Sequence, residues 1–302
     1  PRCGGWRWHR DRMDSWKARW GIAQWAAYFE HQALPVMARS KQLLGELEAA
    51  EGEQLSPRAL ADIVLQDPLL CLFLLREAER RKSHRLERET TTVLAAILQL
   101  GVDNFRRLLQ ASPTVDERNV GLMRVENRAY IAAQLALAWS SGRGDLNPEE
   151  VALAALLGGV GDLLLWVYAP EIPQKAETLL RSGLASRSAQ SQSMACGFTF
   201  KDLTLQCAER WKLPALLIQL LRGSASVRAQ MTRTCANAAR HVLDESETSD
   251  LALAADLVEA ARLVPGAGIE WLAGGLTMLS AARLQSAVRL AEAQLRAGPD
   301  DV

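Results

Sequence analysis

Apolar residues recur along this chain at intervals of three and four. Leu69, Leu72 and Phe73 fall on one face of a helix, as do Leu94, Ile97 and Leu98, the spacing that a turn of about 3.6 residues demands. Helix punctuation agrees with the period. Pro35, Pro57, Pro68, Pro148 and Pro214 stand where a first helical turn accepts a residue without an N–H, and Ser56, Asp67 and Asn147 precede three of them as capping side chains. No stretch alternates apolar and polar residues between turns, and Ala and Leu dominate where Val, Ile and Tyr would build strands. The pattern predicts an all-α chain.

The expected helices of a first group span 14–33, 35–49, 57–66, 68–81, 91–100 and 103–111. A second group spans 119–141, 148–157, 160–169, 173–182, 201–211, 214–222, 225–243, 250–262 and 269–296. Between them "ASPTVDERN", Ala111 to Asn119, is rich in turn formers and reads as the boundary between two lobes. The polar stretches 83–91 and 182–193 read as exposed connections.

Composition narrows the chemistry. With 35 basic and 35 acidic residues the net charge is zero, so no overall field draws the chain to nucleic acid, and no nucleic-acid partner is expected. Cysteines at 3, 71, 196, 207 and 235 are odd in number and contain no C-x-x-C pair, which argues for reduced thiols over a zinc ribbon or a disulfide framework. No long uninterrupted apolar run and no secretory leader pattern occurs, so a cytoplasmic protein without a transmembrane segment is expected. His9, His31, His84 and His241 form no metal-binding spacing, and phosphate-loop, dinucleotide and hydrolase-elbow motifs are absent. Cys196 or Cys235 could act as a nucleophile with His241, but small buried thiols are the plainer reading.

Two segments of the first lobe carry a more specific pattern. "ADIVLQDPLLCLFLLREA", Ala61 to Ala78, holds an I-x-x-D-P turn followed by L-L-R-x-A, and "AAILQLGVDNFRRLL", Ala95 to Leu109, holds A-I-x-x-L-G-x-x-x-x-R; Leu34-Pro35 lies upstream. In order and spacing these resemble the bacterial HDOD domain, a noncatalytic relative of the HD metal-dependent phosphohydrolases. Glu79 departs from the pattern, where Asn is usual. Asp67 and Gly101 also have local reasons to be there, the first as the cap before Pro68 and the second as a left-handed helix end. The resemblance implies a two-lobed helical bundle of the HDOD or degenerate HD type over 28–225, with lobes at 28–112 and 119–225. Residues 1–27 then form a basic, Trp-rich N-terminal segment, and 226–302 a helical extension that completes the second lobe or forms a dimer surface.

The same resemblance singles out "LAALLGGVGDLLLW", Leu153 to Trp166. HD-type enzymes carry a His on one helix, an adjacent His-Asp pair on the next, and a later Asp. By similarity Arg128 stands at the first His, Gly158 and Gly159 replace the His-Asp pair, Asp162 stands where Lys is common, and Asn237 aligns with the late Asp. Hydrolytic metal sites need three or more imidazole or carboxylate donors converging at roughly 2.0 to 2.2 Å. Glycine supplies none, and a permanently protonated Arg128 opposes a cation. Neither a metal ligand nor a catalytic residue is expected, and no cofactor. Two readings of the glycines stay open, the preferred one a collapsed cavity with closely packed helices, the other a metal-free pocket that takes an anion through Arg128 and backbone N–H groups.

The N-terminal stretch is the compositional anomaly. Trp6, Trp8, Trp16, Trp20 and Trp25 alternate with Arg2, Arg7, Arg10, Arg12, Lys17 and Arg19. Trp16 and Trp20 share a helix face beside Arg19 and either pack onto the domain or present a partner surface. The mixed charges of Arg76 to Glu89 make a second candidate rim. The leading functional expectation is a noncatalytic bacterial signal-transduction or scaffolding module acting on an unidentified protein partner, with a homodimer as a further candidate. The alternative is a nucleotide or cyclic-dinucleotide sensor using the emptied pocket, and the remote one a residual metal-dependent phosphohydrolase.

Overall fold

A computed structural model describes residues 20–52, 54–81, 90–244, 246 and 248–297. Among the described residues there is no strand, only an isolated bridge between Val36 and Thr114. The first lobe holds α2 (Ala38–Glu51), α3 (Pro57–Val64), α4 (Pro68–Arg80), α5 (Val93–Leu100) and α6 (Val102–Ala111); α1 (Ile22–Glu30) precedes it in sequence. After the connection 112–119 come α7 (Val120–Ser140), α8 (Pro148–Leu157), α9 (Val160–Tyr168), α10 (Glu171–Arg181), α11 (Ser188–Cys196), α12 (Phe200–Arg210) and α13 (Ala215–Arg222). The chain closes with α14 (Val227–Val242), α15 (Ser249–Leu263), α16 (Ile269–Ala273) and α17 (Ala281–Ala297).

The caps form as the proline pattern requires. Ser56 Oγ accepts from Ala59 N at 3.4 Å, and Asn147 Oδ1 from Glu149 N at 3.1 Å. Gly101 ends α5 at φ +87°, a conformation that side chains rarely adopt. One continuous apolar core runs through both lobes, because α4 is buried on nearly every side and packs on α5, α8 and α9 at once. The long helix α7 lies against α8 and α14, and α15 packs on α14 and α17, so the C-terminal helices cover the second lobe. Although α1 precedes the first lobe, it packs on α12 of the second. Trp25 and Phe29 are fully buried, Arg210 pairs with Glu30 at 2.5 Å, and the Tyr168 hydroxyl donates to the Ala33 carbonyl at 2.6 Å.

The structure departs from the sequence expectations in four places. The helix expected from 35 begins at Ala38, because Val36 is held extended by Pro113 and Val115 in the bridge. The helix expected over 14–33 is described only as α1, which starts after Gly21. The stretch 182–193 is largely exposed as expected, but it runs into a helix, Ser188–Cys196, ended by Gly197 at φ +86°; that helix lacks an apolar stripe, and that is why the period missed it. The single helix expected over 269–296 is two, because the chain turns at Gly274-Gly275 with Gly275 against the Trp139 indole, whose Nε1 donates to Leu272 O at 2.9 Å. The apolar segment Pro148–Tyr168 is long enough to cross a membrane by length and composition, yet it comprises two helices, and 72% of its most apolar window is buried by neighbours.

Of two buried carboxylates, Asp67 ties the first lobe together and Glu126 joins it to the second. Asp67, fully buried, accepts from Leu69 N and Leu70 N at 3.0 Å through Oδ1, and from Met37 N at 2.7 Å and Ser40 Oγ at 2.8 Å through Oδ2. It therefore caps α4 and fixes the start of α2 together. Arg39, next on α2, pairs with Glu126 of α7, donates to Gln66 O and lies 5.6 Å from the centre of the Tyr130 ring. Burial pushes the fully enclosed Glu126 carboxyl up to about 7, against the pull of Arg39.

Asp67→Ala should lower the unfolding free energy in urea by about 3 kcal/mol or more, because several buried donors lose their acceptor together. A loss under about 1 kcal/mol would mean that the network does not hold α2 to α4. For Glu126 the folded protein favours the protonated form more than the unfolded chain does. Its contribution is therefore complete below pH 4.5, its ordinary value, and is lost as pH rises to about 7. Glu126→Gln should flatten that part of the stability profile, by up to about 3 kcal/mol, and an unchanged slope in the variant would contradict the assignment.

Candidate functional site

On α7, Val125, Arg128, Ala129 and Ala132 recur at three and four residues and so share a face. That face looks toward Ala236, Asn237 and Arg240 of α14 and toward Gly158-Gly159, where α8 gives way to α9. Between them lies an open groove of about 240 Å³. Four of the positions singled out in the sequence, Arg128, Gly158, Gly159 and Asn237, thus line one cavity. The fifth, Asp162, accepts from Arg128 Nη2 at 3.1 Å and lines an adjoining groove of about 340 Å³, which Arg128 and Arg240 also border. Arg124 and its ion-pair partner Glu177 stand on that second side. Burial raises the Asp162 carboxyl above the ordinary carboxylate range, opposed by the Arg128 guanidinium, and its Oδ1 is buried without a hydrogen-bond partner.

The preferred reading of the glycines, close helix packing over a collapsed cavity, does not hold at Gly158 and Gly159. Their backbones are ordinary, at φ −60° and −104°. A Cβ on Gly158 would meet only the Ala154 and Ala155 carbonyls at 3.5 Å, and one on Gly159 only Val125 Cγ1 at 3.8 Å. Close approach belongs to Gly161, whose added Cβ would lie 2.5 Å from Phe200 O and 2.9 Å from Thr204 N, where α9 crosses α12. Gly161 N also donates to Thr204 Oγ1 at 2.9 Å. The fold needs glycine at 161 and leaves 158 and 159 free of that demand.

The groove does not suit a divalent metal. Its polar lining is guanidinium, amide and backbone, and Asp162, the nearby carboxylate, is committed to Arg128. Among the described residues no three His, Cys, Asp or Glu side chains converge. The thiol-histidine alternative is not assembled either: His241 Nδ1 pairs with Asp256 at 2.6 Å, and burial pushes the thiols of Cys196 and Cys235 up, away from the reactive thiolate. Of the proposed partner surface, Trp20 is partly buried, with ring centroids 5.0 Å from Trp25 and 5.4 Å from Tyr28, while Trp16 and Arg19 lie outside the described residues. In the second charged stretch Arg76 is buried 5.6 Å from the Trp211 ring, and 82–89 are outside the described residues.

Sequence reasoning passed over Arg124 and Arg240. Both were within reach of it: Arg124 stands four residues before Arg128 and Arg240 three after Asn237, so each shares a helix face with a residue already marked.

Gly158 caps α8 with right-handed helical angles that alanine adopts without strain, and replacing glycine at such a position removes chain entropy from the unfolded state. Gly158→Ala should therefore leave stability unchanged or raise it by up to about 1 kcal/mol, while Gly161→Ala should lower it by about 2 kcal/mol through overpacking against backbone. Chemical denaturation of the two variants checks the contrast, and an equal loss in both would restore the close-packing role to Gly158.

The response regulator MmoQ from Methylococcus capsulatus superposes on this chain with a TM-score of 0.62 at 22% identity, over 82% of this chain and 98% of that one. A virulence factor from Campylobacter jejuni superposes with a TM-score of 0.66 at 15% identity, over 88% and 98% respectively. At these identities the likeness is one of fold. No curated protein matches the sequence. The HDOD domain pattern matches residues 40–227, well over half of the chain, and together with the helical architecture it places the protein in the HDOD domain family.

Proposed function

We propose that this chain is a noncatalytic bacterial signal-transduction module that works in the cytoplasm through contact with a protein partner. The supporting observation is the donor set of the second-lobe groove. Arg128, Gly158, Gly159 and Asn237, which the resemblance aligns with the metal-holding positions of an HD-type enzyme, line one groove and present no imidazole or carboxylate to it. A guanidinium in that place repels the cation that hydrolysis would need. The signalling context is carried by the fold that the chain shares with a response regulator. Such a module acts by being bound, and the partner brings any chemistry.

The test is an assay of the purified chain with magnesium, manganese, zinc or ferrous ion against phosphomonoesters and cyclic dinucleotides, with and without chelator. We expect no metal-dependent turnover above the protein-free blank and no stoichiometric metal. Chelator-sensitive hydrolysis would overturn the proposal in favour of a phosphohydrolase.

A further inference from the structure

We infer that the groove between α7, α14 and the Gly158-Gly159 junction binds a small phosphomonoester, with Arg128 and Arg240 on the phosphoryl group and the alanine-lined wall against its organic body. Four observations lead there. First, the two guanidiniums line the same cavity, and the lining itself contains no carboxylate. The acidic side chains, Asp162, Glu177 and Asp244, border the adjoining groove instead.

Second, the two arginines are differently employed. Arg128 gives one N–H to Asp162 Oδ2 at 3.1 Å, which positions the guanidinium as a side wall with further donors to spare. Arg240 pairs with no carboxylate among the described residues; its contact is His241 Nε2 at 3.3 Å, and its side chain is exposed. A planar fork of N–H donors matches phosphoryl oxygens, and two of them suit a group that carries about −1.5 to −2 at neutral pH.

Third, Gly158 and Gly159 have neither a positive φ nor a neighbour that excludes a Cβ. What glycine does at both places is keep the floor of the groove as bare backbone, where any side chain would take up ligand volume. Fourth, the remaining wall is small and apolar, built from Val125, Ala129, Ala132, Ala155 and Ala236. At about 240 Å³ the space lies below the ~300 to 1,000 Å³ of drug-sized pockets. Being open, it covers the phosphoryl group and part of the body of a mononucleotide, and would leave most of a cyclic dinucleotide outside.

The experiment is calorimetric titration of the full chain at low salt with adenosine monophosphate and, separately, with inorganic phosphate. Adenosine monophosphate should bind about tenfold or more tightly than inorganic phosphate, because only the ester reaches the apolar wall. Arg240→Ala, a change at an exposed position, should weaken the nucleotide about tenfold or more. Gly159→Leu, which fills the floor without altering charge, should abolish binding while circular dichroism shows both variants folded. No saturable binding of either probe, equal affinity for the two, or nucleotide binding unchanged by Arg240→Ala would each overturn the inference. None of these results bears on the noncatalytic reading, which rests on the absent metal donors.

Discussion

A single buried carboxylate sets the frame on which the groove is built. Asp67 cannot remain in the core without partners, since an unpaired buried carboxylate is far costlier than the fold can sustain. Its two oxygens draw the first backbone donors of α4 and the opening residues of α2 to one point. That contact places Arg39 at the surface of the second lobe, where it reaches Glu126 on α7. Glu126 and Tyr130 face the first lobe, while Val125, Arg128, Ala129 and Ala132 lie round the helix toward the groove. The register of α7 is thus set from one side and used on the other.

The second constraint is how closely α9 approaches its neighbours. Gly161 brings α9 against α12, and Gly121 of α7 leaves room for the Trp166 ring, which would lie 2.2 Å from a Cβ there. With those two contacts the helices around the junction are seated. Gly158 and Gly159 add nothing to that seating, and the cavity beside them stays open. Three glycines in four residues look like one feature in a sequence, but they divide into one that serves packing and two that border empty space.

Much of this was legible in the residues. Ser56, Asp67 and Asn147 before proline announced helix starts, and each caps its helix in the structure. The apolar period found most helices because most bury one face. It failed at α11, which has no such face, and at Gly274-Gly275, where the pattern continues although the backbone turns. Of the five marked positions, four line one groove, and Asp162 lies in the adjoining one and reaches Arg128. The Arg39 to Glu126 pair, 87 residues apart, had no signal in sequence, since neither residue type nor local spacing names a partner across a lobe boundary. The openness of the groove was also invisible, because a missing Cβ looks the same whether the space it leaves is filled by a neighbour or left vacant.

A hydrolytic metal site surrounds a cation with anionic and imidazole donors, and its cavity is shaped to bring a phosphate to that cation. By the resemblance, α7, the junction of α8 and α9, and α14 stand where those donors would be, and here they present guanidinium, amide and backbone to the groove. Arg128 and Arg240 face the space directly, with Asp162 behind Arg128. Coulomb attraction draws an anion into such a cleft whether the positive charge is a metal's or a guanidinium's, although the single, delocalised charge of a guanidinium attracts less strongly. What changes is the chemistry. A metal can both polarise a phosphoryl oxygen and lower the pKa of a bound water, whereas an arginine stabilises phosphoryl charge but generates no nucleophile. A groove lined by guanidinium in place of metal donors draws anions through that charge and generates no metal-bound hydroxide, and this is the physical ground on which the proposed recognition of a phosphomonoester rests.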